Sequence, residues 1–167
     1  GMTFEQAREA VRATTVFTTH TPVPAGNDSF AFELIEKYFA SLWKKLGIAR
    51  EQFFDIGRQY LPWGATEFGM TVLALKFAGA SNGVSELHGQ VSRKLWNFLW
   101  PQKSENDVPI GHITNGVHSL TWLATDYHAL FDEFLPSDWC KRIDEVSMWE
   151  AIEKIPDERM WATHLGL

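Results

Sequence analysis

The chain has 167 residues, of which 45% are hydrophobic and 22% charged, and its formal net charge is −6. This length and composition fit a globular domain with a buried core and exclude a largely disordered chain. The negative charge argues against a nucleic-acid-binding protein, and no apolar run approaches the ~18 residues that a membrane-spanning helix needs.

The first hundred residues predict helices that alternate with short strands. Thr3 is a candidate helix cap, the prolines after His20 end the first strand, and Gly47 ends the longest helix. Asn27, Asp28 or Ser29 is a candidate cap for that longest helix. The predicted elements are a helix over 3–12, a strand over 14–18, helices over 30–46 and 51–57, a loop over 60–64, an apolar helix from Thr66, a very short strand at Val84, and a helix from Ser85 to about Trp100.

The remainder of the chain predicts one more strand and then a helical tail. The strand covers 109–114, and the helices cover about 125–134, 138–144, 147–154 and 157 to the end. Strands separated by helices predict parallel pairing with right-handed crossovers, hence an α/β fold. Because three short strands make a small sheet for such a fold, we expect the chain to be a segment of a longer protein.

Two polar turns follow predicted strands and form the best candidate site. Ligands of open α/β sheets bind outside the carboxyl ends of the strands. His20 ends the first strand beside a proline-stiffened loop, and Asn115 precedes Gly116 after the third. The amide of Asn115 can donate to and accept from a sugar hydroxyl at once. Stabilisation of the turn itself is an equally good interpretation of each residue.

A serine hydrolase is the alternative from another class of protein. Residues 79–83, Gly-Ala-Ser-Asn-Gly, match the G-x-S-x-G nucleophile elbow at Ser81. Asp126 or Asp132, followed by His164, would supply the remaining triad members in that order. The elbow requires a strand directly before the serine, whereas residues 71–78 fit a helix better.

Other kinds of site find little support. His112 and His118 flank a turn, but zinc needs three or four converging ligands, so we expect no metal site. The phosphate-binding patterns G-x-G-x-x-G and G-x-x-x-x-G-K-[ST] do not occur. The single cysteine, Cys140, excludes an internal disulfide and fits a reducing cytoplasm, so we expect a cytoplasmic protein.

Three segments resemble the α-glucan (glycogen, starch and maltodextrin) phosphorylase family, in its shorter bacterial and archaeal form. They are Thr-Thr-His-Thr-Pro-Val-Pro-Ala-Gly-Asn-Asp at 18–28, Ser-Asn-Gly-Val-Ser-Glu-Leu-His-Gly-Gln-Val-Ser-Arg-Lys-Leu-Trp at 81–96 and Ile-Thr-Asn-Gly-Val-His-Ser-Leu-Thr-Trp-Leu at 113–123. The resemblance implies the GT-B architecture of two Rossmann-like halves. Residues 1–115 would form the C-terminal portion of the N-terminal half, and residues 116–167 would form the crossover and first helices of the C-terminal half.

The resemblance also implies an activity. Members of the family use inorganic phosphate to cleave the terminal α-1,4 bond of a glucan, releasing glucose 1-phosphate with retention of configuration. They carry pyridoxal phosphate on a lysine, which would lie outside this chain, and use the phosphate group of the cofactor. We therefore expect the chain by itself to be inactive, to hold no cofactor and to self-associate through apolar surface. A non-catalytic glycan-binding module is a third interpretation.

Residue by residue, the resemblance assigns both polar turns to the active site. His20 would bond the glucosyl unit in the catalytic subsite, and Asn115 would contact the 6-hydroxyl of the same sugar. Val84 would lie beside the sugar, and Trp122 would wall the cofactor pocket. Thr21 would open a substrate-adjacent loop, in which Pro24-Ala25-Gly26 replaces the acidic residue of animal enzymes. His88 belongs to the pattern as well and is expected to be structural.

Overall fold

The computed structural model describes residues 1–61, 64 and 66–167, which form two compact units, Gly1–Asn115 and Gly116–Leu167. Two residues of the predicted loop over 60–64, at positions 62 and 63, lie outside the described residues. The α-helices described in the first unit are α1 (Phe4–Thr14), α2 (Phe32–Leu46), α3 (Arg50–Gly57), α4 (Met70–Phe77) and α5 (Glu86–Trp96). The strands are β1 (Val16–Thr19), β2 (Ser29–Phe30), β3 (Arg58–Tyr60), β4 (Thr66–Gly69), β5 (Ala80–Gly83) and β6 (Gly111–His112).

One sheet of the first unit is parallel, as the sequence predicts. Its strand order is β1-β5-β6, with Thr19 opposite Gly83 and Gly83 opposite His112. Strand β6 is shorter than the predicted 109–114, because only Gly111 and His112 pair with β5, while Ile110 lies in the core beside Trp96. The prediction of an α/β fold with a few short parallel strands is confirmed.

A second, antiparallel sheet was not predicted from the sequence. Its order is β2-β4-β3, and its central strand, Thr66–Gly69, occupies residues predicted to begin a helix. That prediction is wrong because Phe68 is drawn into a cluster with Phe53 and Phe54, and pairing on both sides outweighs local helix propensity. Helix α4 begins only at Met70.

Helix α2 begins differently from the prediction and ends as predicted. Its N-cap is Ala31, which makes no side-chain capping bond, so the expectation that Asn27, Asp28 or Ser29 caps it is wrong. Ser29 instead lies in β2 and donates to the carboxylate of Glu67. At the other end Gly47 adopts φ +70°, a left-handed conformation that glycine takes without penalty.

The second unit is helical throughout its described elements, around one aromatic core. Trp139 is fully buried, stacks edge-on with Phe131 and Trp149, and donates from Nε1 to Asp132 Oδ1 across 2.9 Å. The predicted helix over 138–144 is only a short 3₁₀ turn, and the predicted helix over 147–154 is a short α-helix followed by a 3₁₀ segment. The elements are α6 (Ser119–Trp122), α7 (Thr125–Phe134), α8 (Val146–Trp149), α9 (Asp157–Leu165) and the 3₁₀ turns Trp139–Lys141 and Glu150–Lys154. None of the described helices is long and apolar enough to cross a membrane.

Candidate functional site

Three loops leave the parallel sheet at one edge, the carboxyl ends of its strands. β1 ends at Thr19, β5 at Gly83 and β6 at His112, and the pairing register places these ends side by side. His20 follows β1 directly, and Val84 follows β5 directly. Because Thr19 and Gly83 are paired, these two predicted site residues leave the sheet at neighbouring positions. This is the edge at which open α/β sheets bind their ligands.

The loop after His20 is held by its own polar side chains. The Thr21 hydroxyl accepts from the Val23 N–H at 3.1 Å, and the Asn27 amide donates to the Val23 carbonyl at 2.9 Å. Asn27 Oδ1 in turn accepts from the Thr71 hydroxyl at 2.8 Å, which ties the loop to α4. The imidazole of His20 is exposed at the base of this braced loop, where it can reach a ligand in solution.

A buried asparagine joins the first two strands just before their ends. Asn82 is only 7% exposed, and its Oδ1 accepts from the Thr18 hydroxyl at 3.1 Å across the β1–β5 pair. Its Nδ2 donates to the carbonyl of Gly83 at 3.1 Å. These bonds satisfy a buried amide and fix the peptide from which the Val84 turn leaves the sheet.

The turns after β5 and β6 are bonded to one another through their backbones. The Ile113 N–H donates to the Gly83 carbonyl at 2.9 Å, and the Asn115 N–H donates to the Val84 carbonyl at 3.0 Å. The Val84 N–H is itself bonded to Nδ1 of His88, on the first turn of α5, at 3.2 Å. Asn115 itself is exposed.

Helix α5 reaches this edge because two glycines, Gly83 and Gly89, permit a close approach of backbones. A Cβ on Gly83 would lie 2.8 Å from the Gly89 nitrogen, and one on Gly89 would lie 3.0 Å from the Gly111 carbonyl oxygen. Ser85 caps the helix as predicted, its Oγ accepting from the His88 N–H at 3.1 Å. The sequence Asn-Gly-Val-Ser therefore serves as a tight strand-to-helix turn.

The predicted site residues thus fall into two groups. His20, Thr21, Val84 and Asn115 all follow strand ends at one edge of the sheet in the first unit. Trp122 belongs to the second unit, where it is the last residue of α6 and is 82% exposed. An indole so open can contact a group from outside its own unit, and its predicted role at a cofactor pocket stays a prediction.

The serine hydrolase alternative is not supported by the geometry. Ser81 lies inside β5 and pairs with Phe17 of β1, whereas a nucleophile elbow places its serine on the sharp turn after a strand. Among the described residues no group of three or more His, Cys, Asp or Glu side chains could hold a metal ion.

Sequence reasoning missed the residues that support the site. Thr18 and Asn82 had no assigned role, and Asn27 was considered only as a helix cap, although Thr18 and Asn82 bond to each other across two strands and Asn27 holds the loop after β1. The signal available was an asparagine before glycine at the end of a short strand, a position where a buried amide can bridge two strands.

Comparison with known proteins gives a consistent family of relatives, although no protein-family model matches the chain. A maltodextrin phosphorylase of Thermococcus litoralis is 37% identical over 165 residues, covering 99% of this chain and 19% of that protein. A glycogen phosphorylase of Aquifex aeolicus is 37% identical over 99% of this chain and 23% of its own length. A glycogen phosphorylase of Mycobacterium tuberculosis is 36% identical, with 96% and 19% coverage. The chain therefore spans about a fifth of the length of these relatives.

Proposed function

Because the chain belongs to the glycogen and maltodextrin phosphorylase family, we propose that the carboxyl edge of its parallel sheet binds the terminal glucosyl unit of an α-1,4-glucan. The observation that carries the proposal is the joint placement of His20 and Asn115 after strands of one sheet, with exposed polar side chains. The whole protein would then be an α-glucan phosphorylase and a glycosyltransferase of carbohydrate metabolism.

The side chains at this edge suit the recognition of a hexose. The imidazole of His20 can donate to one hydroxyl, and the amide of Asn115 can donate to and accept from another. Val84 is half-buried and follows β5, the central strand of the sheet. Its side chain can offer an apolar contact to the C–H surface of the sugar ring. Hydroxyl-directed polar groups on braced loops give both orientation and selectivity.

The proposed reaction is phosphorolysis of the terminal glycosidic bond. An oxygen of inorganic phosphate bonds to C1 of the terminal glucose, the bond from C1 to the next glucose breaks, and the leaving oxygen takes up a proton. His20 and Asn115 would hold the glucosyl unit while positive charge develops at C1. Contacts that tighten as this charge develops lower the barrier, whereas uniform contacts only strengthen binding.

The architecture of the whole protein follows from the same proposal. We infer a GT-B arrangement, in which residues 1–115 end the N-terminal half and residues 116–167 form the crossover and first helices of the C-terminal half. The small parallel sheet, with helices between its strands, is consistent with the edge of a Rossmann-like half. A cytoplasmic location is part of this proposal.

Pyridoxal phosphate is the cofactor proposed for the whole protein. Within the described part of this chain, Trp122 is the residue that we propose would contact the cofactor, because its exposed indole can pack against an aromatic ring. When bound, the cofactor would supply a phosphate group for proton transfer near the reacting sugar. Its lysine and the groups that grip substrate phosphate are proposed to lie outside this sequence.

The test of this proposal is phosphorolysis by the whole protein. Incubation with maltooligosaccharide and inorganic phosphate should release glucose 1-phosphate, and the product should appear as the α-anomer. A whole protein that releases free glucose in place of the phosphate ester would contradict it. Failure to consume α-1,4-glucan at all would contradict it equally.

A further inference from the structure

His88 is the one buried histidine side chain beside the candidate site in the described part of the chain. It is 9% exposed and lies on the first turn of α5, three residues after the cap Ser85. Its Nδ1 accepts a hydrogen bond from the backbone N–H of Val84 at 3.2 Å. The residue therefore contacts the strand-to-helix turn from the helix side.

The direction of this hydrogen bond shows which ring nitrogen of His88 carries the proton. A backbone N–H can only donate, so Nδ1 must be unprotonated and the neutral ring must carry its proton on Nε2. Nε2 is buried and has no hydrogen-bond partner among the described residues. A buried N–H without a partner is unfavourable, and an apolar side chain would avoid that cost. Unlike an apolar side chain, however, the imidazole accepts the hydrogen bond from the Val84 N–H.

The backbone of Val84 passes this restraint onward. The N–H of Val84 is held by His88, and the carbonyl of the same residue, in the next peptide group, accepts from the Asn115 N–H at 3.0 Å. The two backbone polar groups of Val84 thus connect a side chain of α5 with the turn after β6. The position of the Asn115 backbone depends on the backbone conformation of Val84.

We propose that His88 is a positioning residue, which fixes the backbone of Val84 and, through the Val84 carbonyl, holds the Asn115 turn against the edge of the sheet. The functional meaning of this inference rests on the proposed function, since Asn115 is a sugar-contacting residue only there. The hydrogen-bond relay itself is a property of this chain and can be tested without any activity.

The first experiment measures amide hydrogen exchange in the 167-residue chain. Replacing His88→Leu removes the acceptor, so exchange at the Val84 and Asn115 amides should accelerate together by about tenfold or more. His88→Asn places an oxygen acceptor where the imidazole has Nδ1, and should return both rates to within about threefold of the unsubstituted chain. Unchanged exchange at Val84 and Asn115 in His88→Leu overturns the proposal.

A matched control separates positioning from general loss of stability. Trp96→Phe thins the core under the same helix and makes no change near Val84. It should lower the unfolding midpoint while leaving the ratio of the Val84 exchange rate to the exchange rates of the α5 amides unchanged. Equal acceleration at Val84 in Trp96→Phe and His88→Leu would mean that helix stability alone controls the turn, and would overturn the proposal.

The second experiment measures phosphorolysis in the whole protein. His88→Leu should reduce kcat/KM by about tenfold, and His88→Asn should recover most of that loss, because orientation rather than bulk is at stake. No recovery in His88→Asn contradicts the positioning role. If the unsubstituted whole protein shows no phosphorolysis, the proposed function fails, and the exchange experiment still decides the inference about His88.

Discussion

The backbone N–H of Asn115 donates to the backbone carbonyl of Val84 across 3.0 Å, and this bond joins the turn after β6 to the turn after β5. Two segments that are 31 residues apart in the sequence are therefore joined at the candidate site. Substitutions in the β5–α5 turn should therefore alter the position of the Asn115 backbone, even when they leave the polar side chains of the site intact.

Gly83→Ala should strongly destabilise the first unit. The added Cβ would lie 2.8 Å from the Gly89 nitrogen and 3.0 Å from the His88 carbonyl carbon, and backbone atoms have little room to yield. We expect a loss of about 1–3 kcal/mol in the free energy of unfolding, measured by urea denaturation.

Gly111→Ala is the matched control for this substitution. Its Cβ would meet only the Ser81 carbonyl oxygen, at 3.9 Å, and an alanine fits a strand there. Its unfolding free energy should stay within about 0.5 kcal/mol of the unsubstituted chain. Equal losses in Gly83→Ala and Gly111→Ala would show that the close approach of α5 is not what limits residue 83.

The bond between Thr18 and Asn82 should contribute measurable coupling across the β1–β5 pair. In a double-mutant cycle of Thr18→Val and Asn82→Ala, we expect an interaction energy of about 1 kcal/mol, because the bond is largely removed from water. Chemical denaturation of the four proteins gives this value. Strict additivity of the two single substitutions would contradict the assigned role of Asn82.

Much of the fold could be predicted from local signals, and the failures have physical causes. The caps Thr3 and Ser85 and the terminator Gly47 set helix ends as expected, because each acts within one turn of chain. Thr66–Gly69 failed as a helix because strands on both sides and the Phe68 cluster decide its state. Such pairing partners lie too far away in sequence for periodicity to reveal.

Only the exposed residues of the candidate site could be predicted from the sequence. His20 and Asn115 could be recognised as exposed polar residues after strands, and the structure places both at one sheet edge. The bonds beneath them depend on the register of β1 against β5 and on the approach of α5, which no local pattern specifies. His88 therefore looked structural in the sequence, and its bond to Val84 became visible only in three dimensions.

The isolated chain should self-associate through helix α2. Apolar side chains recur every four residues on an exposed stripe, and Tyr38 at its centre is 66% exposed. They line a groove of about 810 Å³ against α1, and two copies can pack these stripes against each other about a twofold axis. The stripe comprises Leu34, Tyr38, Leu42 and Leu46.

Light scattering over a concentration series tests this association. The unsubstituted chain should form a dimer, and the double substitution Tyr38→Lys with Leu42→Lys should yield a monomer. Val146→Lys with Leu165→Lys, which places the same two charges on exposed residues of the second unit, should leave the dimer intact. A monomer at every concentration before substitution would show that the stripe does not pair copies of this chain.

The 167-residue chain alone should release no glucose 1-phosphate from glycogen and should bind no pyridoxal phosphate. Its sequence contains no phosphate-binding glycine loop, and transition-state charge would lack the preorganised groups that phosphorolysis requires. A product assay and an absorbance scan for a bound aldimine check both points. Turnover by the chain alone would mean that the reacting groups lie within it.

The most direct test of the assigned site is kcat/KM for phosphorolysis by the whole protein carrying His20→Ala or Asn115→Ala. Each substitution should raise the barrier by about 2–4 kcal/mol, with the loss mainly in kcat, because contacts that strengthen in the transition state are removed. Both variants should keep the unfolding midpoint of the parent, since both side chains are exposed. Near-parental kcat/KM in His20→Ala would contradict the assignment of this sheet edge as the glucosyl site.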